Sequence, residues 1–334
     1  MISTATEQIL QAMEHEFALG NVAGESSKKI VIELLDSIEH SGFERPKSYE
    51  DFWLWVNTAM AEIDKKIINQ LNEIIHHPKL IELESSWRSL FDLVNFSLGR
   101  KNTKVRVLDV KWAEITKDVN RAVEFDQSQL FQKIYSDEFD IPGGEPYGTL
   151  IADYNVSHRA SGEHRYEDIP TLERLAEIAS ASFSPLLINA APQLFGLDSF
   201  DKLTQPINFA DIFKESEYIA WNRLRAHSDT RFLGVTLPRV LLRPPYSIKI
   251  DSYGGIRYAE TNAYTSKKNY VWGKANFALA KVLLREFAEV GWFSHIRGVP
   301  RDKFAGGVVP DLTIDYFDTD KHQMANKPIA DIII

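Results

Sequence analysis

The chain contains no cysteine. Disulfides, thiolate-held zinc and a thiol nucleophile are excluded together. It has no apolar run near the ~18 residues that a bilayer-spanning helix needs. Its opening, MISTATEQILQAMEHEF, lacks the basic-then-apolar order of a secretory signal. Positive charge is not in excess either. The formal net charge is −9, whereas a general nucleic-acid binder needs a basic face to neutralise phosphates. Also missing are Gly-x-Gly-x-x-Gly, Gly-Lys-Ser/Thr, Gly-x-Ser-x-Gly and a His-x-x-x-His or His-Glu-x-x-His helix. These absences lead us to expect a cytoplasmic protein with no cofactor or metal, no catalytic residues, no nucleic acid and no direct membrane insertion.

What is present is ordinary globular material: 334 residues, 44% hydrophobic and 25% charged, enough for one large domain or two. Three regions are expected. Residues 1–47 read as a helical leader or linker, residues 48–100 as helices packing on the core, and residues 101–334 as a mixed α/β core.

In the leader, Ile9, Leu10, Met13 and Phe17 share one helical face. They are the candidate partner contacts, because a chain-end helix before a Gly/Ser break has few neighbours on which to bury its stripe. A second helix is expected over Lys28–Ser41. Ser48 and Asp51 are placed to cap a long helix over about Tyr49–His76. Its stripe is Phe52, Val56, Ala59, Ile63, Ile67, Leu71 and Ile74. The next helix carries Leu83, Trp87, Leu90 and Val94 on one face. These helices either form a helical subdomain of the same core or pack on a partner protein.

The alternation KVRVLDV over Lys104–Val110 predicts a strand, followed by a helix over Trp112–Val123. The most locally determined stretch is Glu124–Tyr154. Asp126 with Gln129 suggests a helix start, and the helix runs over 126–139. Residues 142–148 hold two prolines and three glycines and must turn. Gly143, Gly144, Glu145, Pro146, Tyr147 and Gly148 therefore form a candidate structural turn before a strand at Thr149–Asp153. A phosphate cradle is the competing reading of this turn. It suits the sequence less well, because the glycines precede a strand rather than a helix and Glu145 would repel an anion.

Further on, a helix is expected over Asp168–Ser182 and a buried strand over Pro185–Asn189. Another strand is expected at Phe232–Thr236, then an extended or turned segment over Leu237–Tyr246. Tyr270–Val290 reads as the most apolar helix, and strands are expected at Phe293–Arg297 and Thr313–Asp318. Helices and strands in this order argue a sheet covered by helices. The fold class is therefore α/β (mixed α+β), a helical leader followed by a mixed sheet flanked by helices.

His76-His77 reads as a helix end. His158 and His164 straddle a surface loop within possible reach of Asp153. Arg239, Arg243, Arg297 and Arg301 flank apolar strands, which suits ion pairs or an acidic partner surface. The apolar ending KPIADIII, with no polar tail, suggests that the core is truncated at its C-terminal end.

Several blocks carry a resemblance. LESSWRSLFDLV (83–94), EFDQSQLFQKIYSDEFD with GGEPYGTLIADY (124–154), YIAWNRLRAHSDTRFLGVTLPRVLLRPPY (218–246), YVWGKANFALAKVLLREFAEVGWFSHIRG (270–298) and KPIADIII are similar, in order, to the large subunit of the type VI secretion contractile sheath, the TssC/VipB family. The resemblance implies a contractile-sheath-like fold and a structural, non-enzymatic role. It implies pairing with a small sheath subunit of the TssB/VipA kind and self-assembly into a six-fold helical polymer around a secreted inner tube, on a baseplate. Contraction would eject that tube, and an AAA+ ATPase would dismantle the contracted sheath. Complete members continue past the position of Ile334, so the chain is expected to be a fragment or a short paralogue that caps or regulates assembly. The loop VPRDKFAGGVVP after Arg297 departs from the family's longer acidic, glycine-rich version. A nucleotide-binding enzyme using residues 142–148 is the remaining alternative.

Overall fold

The computed structural model describes residues 48–100, 102–160, 167–200, 202, 209–247, 258–260, 270–298 and 306–307, together with residues 9, 11, 12, 29, 30, 32 and 33. Contacts divide the chain into two units, Met1–His77 with Pro245–Asn262, and Pro78–Pro244 with Ala263–Ile334. The expectations for Leu10, Met13, Phe17, His164, Arg301, Thr313–Asp318 and Lys327–Ile334 lie outside the described residues.

The first unit is built on α1 (Tyr49–Ile75). Ser48 caps it as the sequence predicts: its backbone is extended and its hydroxyl accepts from the Asp51 N–H at 3.1 Å. Of the predicted stripe only Phe52 is buried, while Ile63, Ile67 and Ile74 are exposed. The C-terminal end is tied down by residues distant in sequence. The Tyr258 hydroxyl donates to Asn72 Oδ1 at 2.8 Å, and His76 Nε2 lies 3.4 Å from Glu260 Oε2.

In the second unit, α2 (Pro78–Ser97) and α3 (Trp112–Arg121) precede a parallel sheet of β1 (Leu150–Val156), β2 (Leu186–Ala190) and β3 (Leu233–Thr236), in the order β1-β2-β3. Parallel strands need long connections. One carries α4 (Asp168–Ala181) and the next carries α5 (Ile219–Ala226). All five residues of β2 are buried, as a strand covered on both faces must be. Leu186, Ile188 and Ala190 join Trp112, Ile115, Leu172, Ile178 and Trp221 in one cluster. Each fully buried large side chain stabilises by about 1.5–3 kcal/mol. The opposite face meets α6 (Ala275–Val290): Asn276 donates to the Ala152 carbonyl at 2.7 Å, and the Ala275 N–H donates to Asn189 Oδ1 at 3.2 Å. An antiparallel pair, β4 (Arg239–Arg243) with β5 (Val271–Lys274), completes the unit.

Four local expectations are corrected. Lys104–Val110 pairs with no strand among the described residues; the ion pairs of Lys104 and Arg106 and the Tyr154 hydroxyl, which donates to the Val110 carbonyl, hold it instead. The segment predicted as one helix over 126–139 is a 3-10 turn at Phe125–Gln127, an α turn at Gln129–Phe131 and a π turn at Gln132–Ser136. Its cap is Ser128, whose hydroxyl accepts from the Phe131 N–H at 3.1 Å, while the Asp118 carboxylate takes the N–H groups of Gln129 and Leu130 at 3.1 and 3.0 Å. Asp126 is left outside the helix start. The helix predicted from Tyr270 begins at Ala275, because Val271–Lys274 is captured by β4. Phe293–Arg297 is not a strand. Gly291, at φ +78°, ends α6, and the His295 backbone N–H donates back to Glu286 Oε1 at 2.9 Å.

Candidate functional site

The Pro/Gly corner is held by charge. Glu138 accepts from Arg106, and Glu145 accepts from Arg106 Nη2 at 2.8 Å and also from Lys104. Arg106 lies 5.8 Å from the centre of the Tyr147 ring. Contact with Tyr147 and then Glu138 pushes the Arg106 guanidinium further up, and hydrogen bonding from Lys104 first, then Arg106, holds the Glu145 carboxyl below the usual carboxylate range.

Gly143 sits at φ +86°, where glycine alone is unstrained. A Cβ on Gly144 would lie 2.3 Å from the Glu138 carbonyl oxygen. The N–H groups of Gly144 and Glu145 already donate to Ile141 O at 3.0 Å and to Glu138 Oε2 at 3.2 Å. An anion would therefore meet engaged amides and two carboxylates. Pro146 and Gly148 are exposed, and Tyr147 accepts through its carbonyl from the Ser184 hydroxyl. Thr149 Oγ1 and the Leu150 N–H then both donate to the Pro185 carbonyl, at 2.9 and 2.8 Å, which delivers the chain into β1 beside β2.

Two buried polar groups escape sequence reading. Asp168 is fully buried in the first turn of α4. Its carboxylate accepts from Trp112 Nε1 at 2.7 Å and from the Ser157 N–H at 2.9 Å, fastening α3 and the end of β1 to the crossover helix. The reading of His158 as a surface-loop residue is also corrected, and Asp153, within possible reach in the sequence, does not meet it. Asp153 pairs with Lys274 at 2.7 Å. His158 is buried and stacks on Tyr218 at 4.2 Å, with Glu217 Oε2 3.7 Å away, beyond hydrogen-bond length. Burial lowers the imidazole below its ordinary range, with Glu217 opposing. The expected Arg243 ion pair exists: Nε lies 2.7 Å from Glu84 Oε1, and Arg88 Nε lies 2.6 Å from the same oxygen. Burial alone would raise the Glu84 carboxyl. The hydrogen bonds and charges of Arg243 and Arg88 outweigh it and leave the group lowered. Among the described residues no group of His, Asp or Glu side chains is arranged to hold a metal ion.

The surface is what stands out. Ile9, one of the candidate partner contacts, is fully covered within the chain. Trp87, Phe91, Phe183 and Trp292 are exposed. Phe183 combines 71% exposure with φ +51°, a conformation that bulky residues rarely hold. No sequence signal announces that strain.

Residues 57–334 match the family described as VipB: EvpB/VC_A0108, tail sheath N-terminal domain. The chain belongs to the type VI secretion sheath family. It is 34% identical over 267 residues to the type VI secretion system sheath protein TssC1 of Pseudomonas aeruginosa, across 79% of this chain and 52% of that protein. The chain thus spans about half the length of the curated relative it matches. In this sheath protein, four of the blocks that carried the resemblance fall on α2, on the charged corner, on the run from α5 through β4, and on β5 with α6, while KPIADIII lies outside the described residues. Sheath proteins are structural, which agrees with a molecule whose most distinctive features are an ionic corner and outward aromatics. No described helix is long and apolar enough to cross a membrane.

Proposed function

We propose that this sheath protein acts as the large subunit of a type VI secretion contractile sheath. It pairs with the small sheath subunit and polymerises in the cytoplasm as a six-fold helical tube around the secreted inner tube, on a baseplate. Contraction ejects the inner tube, and an AAA+ ATPase dismantles the contracted sheath. The protein performs no catalysis and carries no cofactor. The corner Gly143–Gly148 acts as a structural turn, and the leader engages a neighbouring subunit through Leu10, Met13 and Phe17, without Ile9, which the chain itself covers. The single observation that supports this reading is the family match, which runs through both units of the chain. The large apolar side chains left at the surface agree with it, because extensive exposed apolar area on a folded chain marks an association surface.

The test is co-expression of the full chain with a cognate small sheath subunit, followed by electron microscopy of the purified material. Tubes or stacked rings are expected. A chain that purifies alone beside an abundant, soluble small subunit would contradict the proposal. Calorimetry with nucleotide addresses the enzyme alternative, and no heat of binding is expected.

A further inference from the structure

His158 is sealed inside the second unit with both ring nitrogens unmet. Its side chain is fully buried just past the end of β1, and the ring stacks on Tyr218 at 4.2 Å. Tyr218 is itself fully buried and closes the 3-10 turn Ser216–Tyr218 that leads into α5. Phe213 packs edge-on against Tyr218 at 5.0 Å. Among the described residues neither nitrogen of His158 has a hydrogen-bond partner, and the hydroxyls of Ser157 and Tyr218 have none either. A neutral ring bears this arrangement at moderate cost, whereas an imidazolium carries two N–H donors, and leaving a charged donor buried and unmet costs more.

One acceptor stands close by. Glu217 Oε2 lies 3.7 Å from His158 Nε2, and the same oxygen accepts from Arg159 Nη1 at 2.6 Å. Among the described residues, Glu217 and Arg159 are the charges that act on the ring. Asp168 of α4 is taken up by Trp112 and the Ser157 N–H, Glu215 acts on Tyr218, and Arg223 of α5 is turned to Glu173. Burial works against the charged ring, Glu217 works for it and Arg159 works against it. The ring is therefore neutral at pH 7, and protonation sets in below the ordinary imidazole value near 6.5. Glu217 is about 1 Å short of a hydrogen bond to Nε2. Arg159 is exposed and can turn to water in its place.

We propose that His158 is an acid-triggered latch: on taking a proton from solvent, its Nε2–H captures the Glu217 carboxylate from Arg159 and frees the turn Ser216–Tyr218 from the end of β1. Tyr218, whose ring covers the imidazole, moves with Glu217 because the two are adjacent in the chain. The start of α5 loosens while the sheet stays closed. The latch lies within one chain and is independent of the sheath reading.

The test is amide hydrogen exchange of the full chain between about pH 7.5 and about pH 5.5, one unit either side of the ordinary imidazole value, with rates corrected for the pH dependence of exchange itself. Exchange across Glu215–Trp221 should rise roughly tenfold on acidification, the change that one linked proton gives per pH unit, while exchange in β2 stays constant. His158→Phe keeps the stacking and takes no proton, so it should show no rise. Two further variants decide the matter if His158→Phe does not fold. Arg159→Ala removes the competing cation, and the rise should begin about 0.5–1 pH unit higher, the effect of one charge near 4 Å in a water-like surrounding. Glu217→Gln should displace it downward by a similar amount. Wild-type exchange that is the same at both pH values, an equal rise in folded His158→Phe, a rise shared by β2, or coincident midpoints for the two charge variants would each overturn the inference.

Discussion

At the scale of single residues, the molecule depends on a few buried polar groups that carry no motif. Asp168 satisfies two donors that would otherwise be stranded, Trp112 Nε1 and the Ser157 N–H. Asp168→Ala should therefore cost about 2–4 kcal/mol in urea denaturation, the penalty of leaving buried donors unmet. A loss below about 1 kcal/mol would show that water replaces the carboxylate. His158 makes a pH prediction. Its pKa is lowered in the folded chain by burial. The folded state therefore favours the neutral ring. The stability this contributes is present above the unfolded value near 6.5 and is lost as pH falls through the folded value. Unfolding free energy should decline on acidification from pH ~7 to ~5, and His158→Phe, which keeps the stacking on Tyr218, should flatten that decline. Identical pH profiles for the two proteins would dismiss the role. Neither residue could be interpreted in advance: Asp168 looked like a helix-start acid and His158 like a loop residue, because their partners lie far off in sequence.

At the scale of elements, local chemistry was legible and long-range placement was not. Ser48 with Asp51 marked the start of α1 and the run Pro185–Asn189 a buried strand, since each signal is contained within a few residues. The alternation over Lys104–Val110 promised a strand, yet pairing requires a neighbour that the pattern cannot name. The stripe on α2 was visible, but periodicity does not say that Leu83 and Trp87 stay exposed while Leu90 and Val94 are half-buried. The charged corner was legible as a turn, while Lys104 and Arg106, its cations, were hidden in the supposed strand. Gly144→Val places a branched side chain against the Glu138 carbonyl. It should destabilise by more than Gly143→Ala, which bears only the left-handed backbone cost of about 1–2 kcal/mol. Chemical denaturation of both variants checks the order, and equal losses would mean that the corner yields. Helix α4 ends unusually, with Phe183 in the left-handed position where glycine normally stands; the Ser184 N–H donates to Ala179 O at 3.0 Å and the Phe183 N–H to Ser180 O at 3.2 Å. Phe183→Gly should be neutral or stabilising by up to about 1 kcal/mol. A loss beyond about 2 kcal/mol would show that its ring contacts with Phe139 and Phe232 outweigh the strain.

At the scale of the whole molecule, the described residues form a covered parallel sheet with an antiparallel pair, bearing large apolar side chains on the outside. Under the function proposed above, such a molecule acts through the surfaces it offers to neighbouring sheath subunits. The most direct test is the affinity of the full chain for a cognate small sheath subunit, measured by titration calorimetry at near-physiological salt. The account predicts a one-to-one complex with a Kd of about 1 μM or tighter, near −8 kcal/mol. The absence of a binding heat with both proteins folded and at tens of micromolar or more, a range where even weak protein pairs are detected, would contradict it.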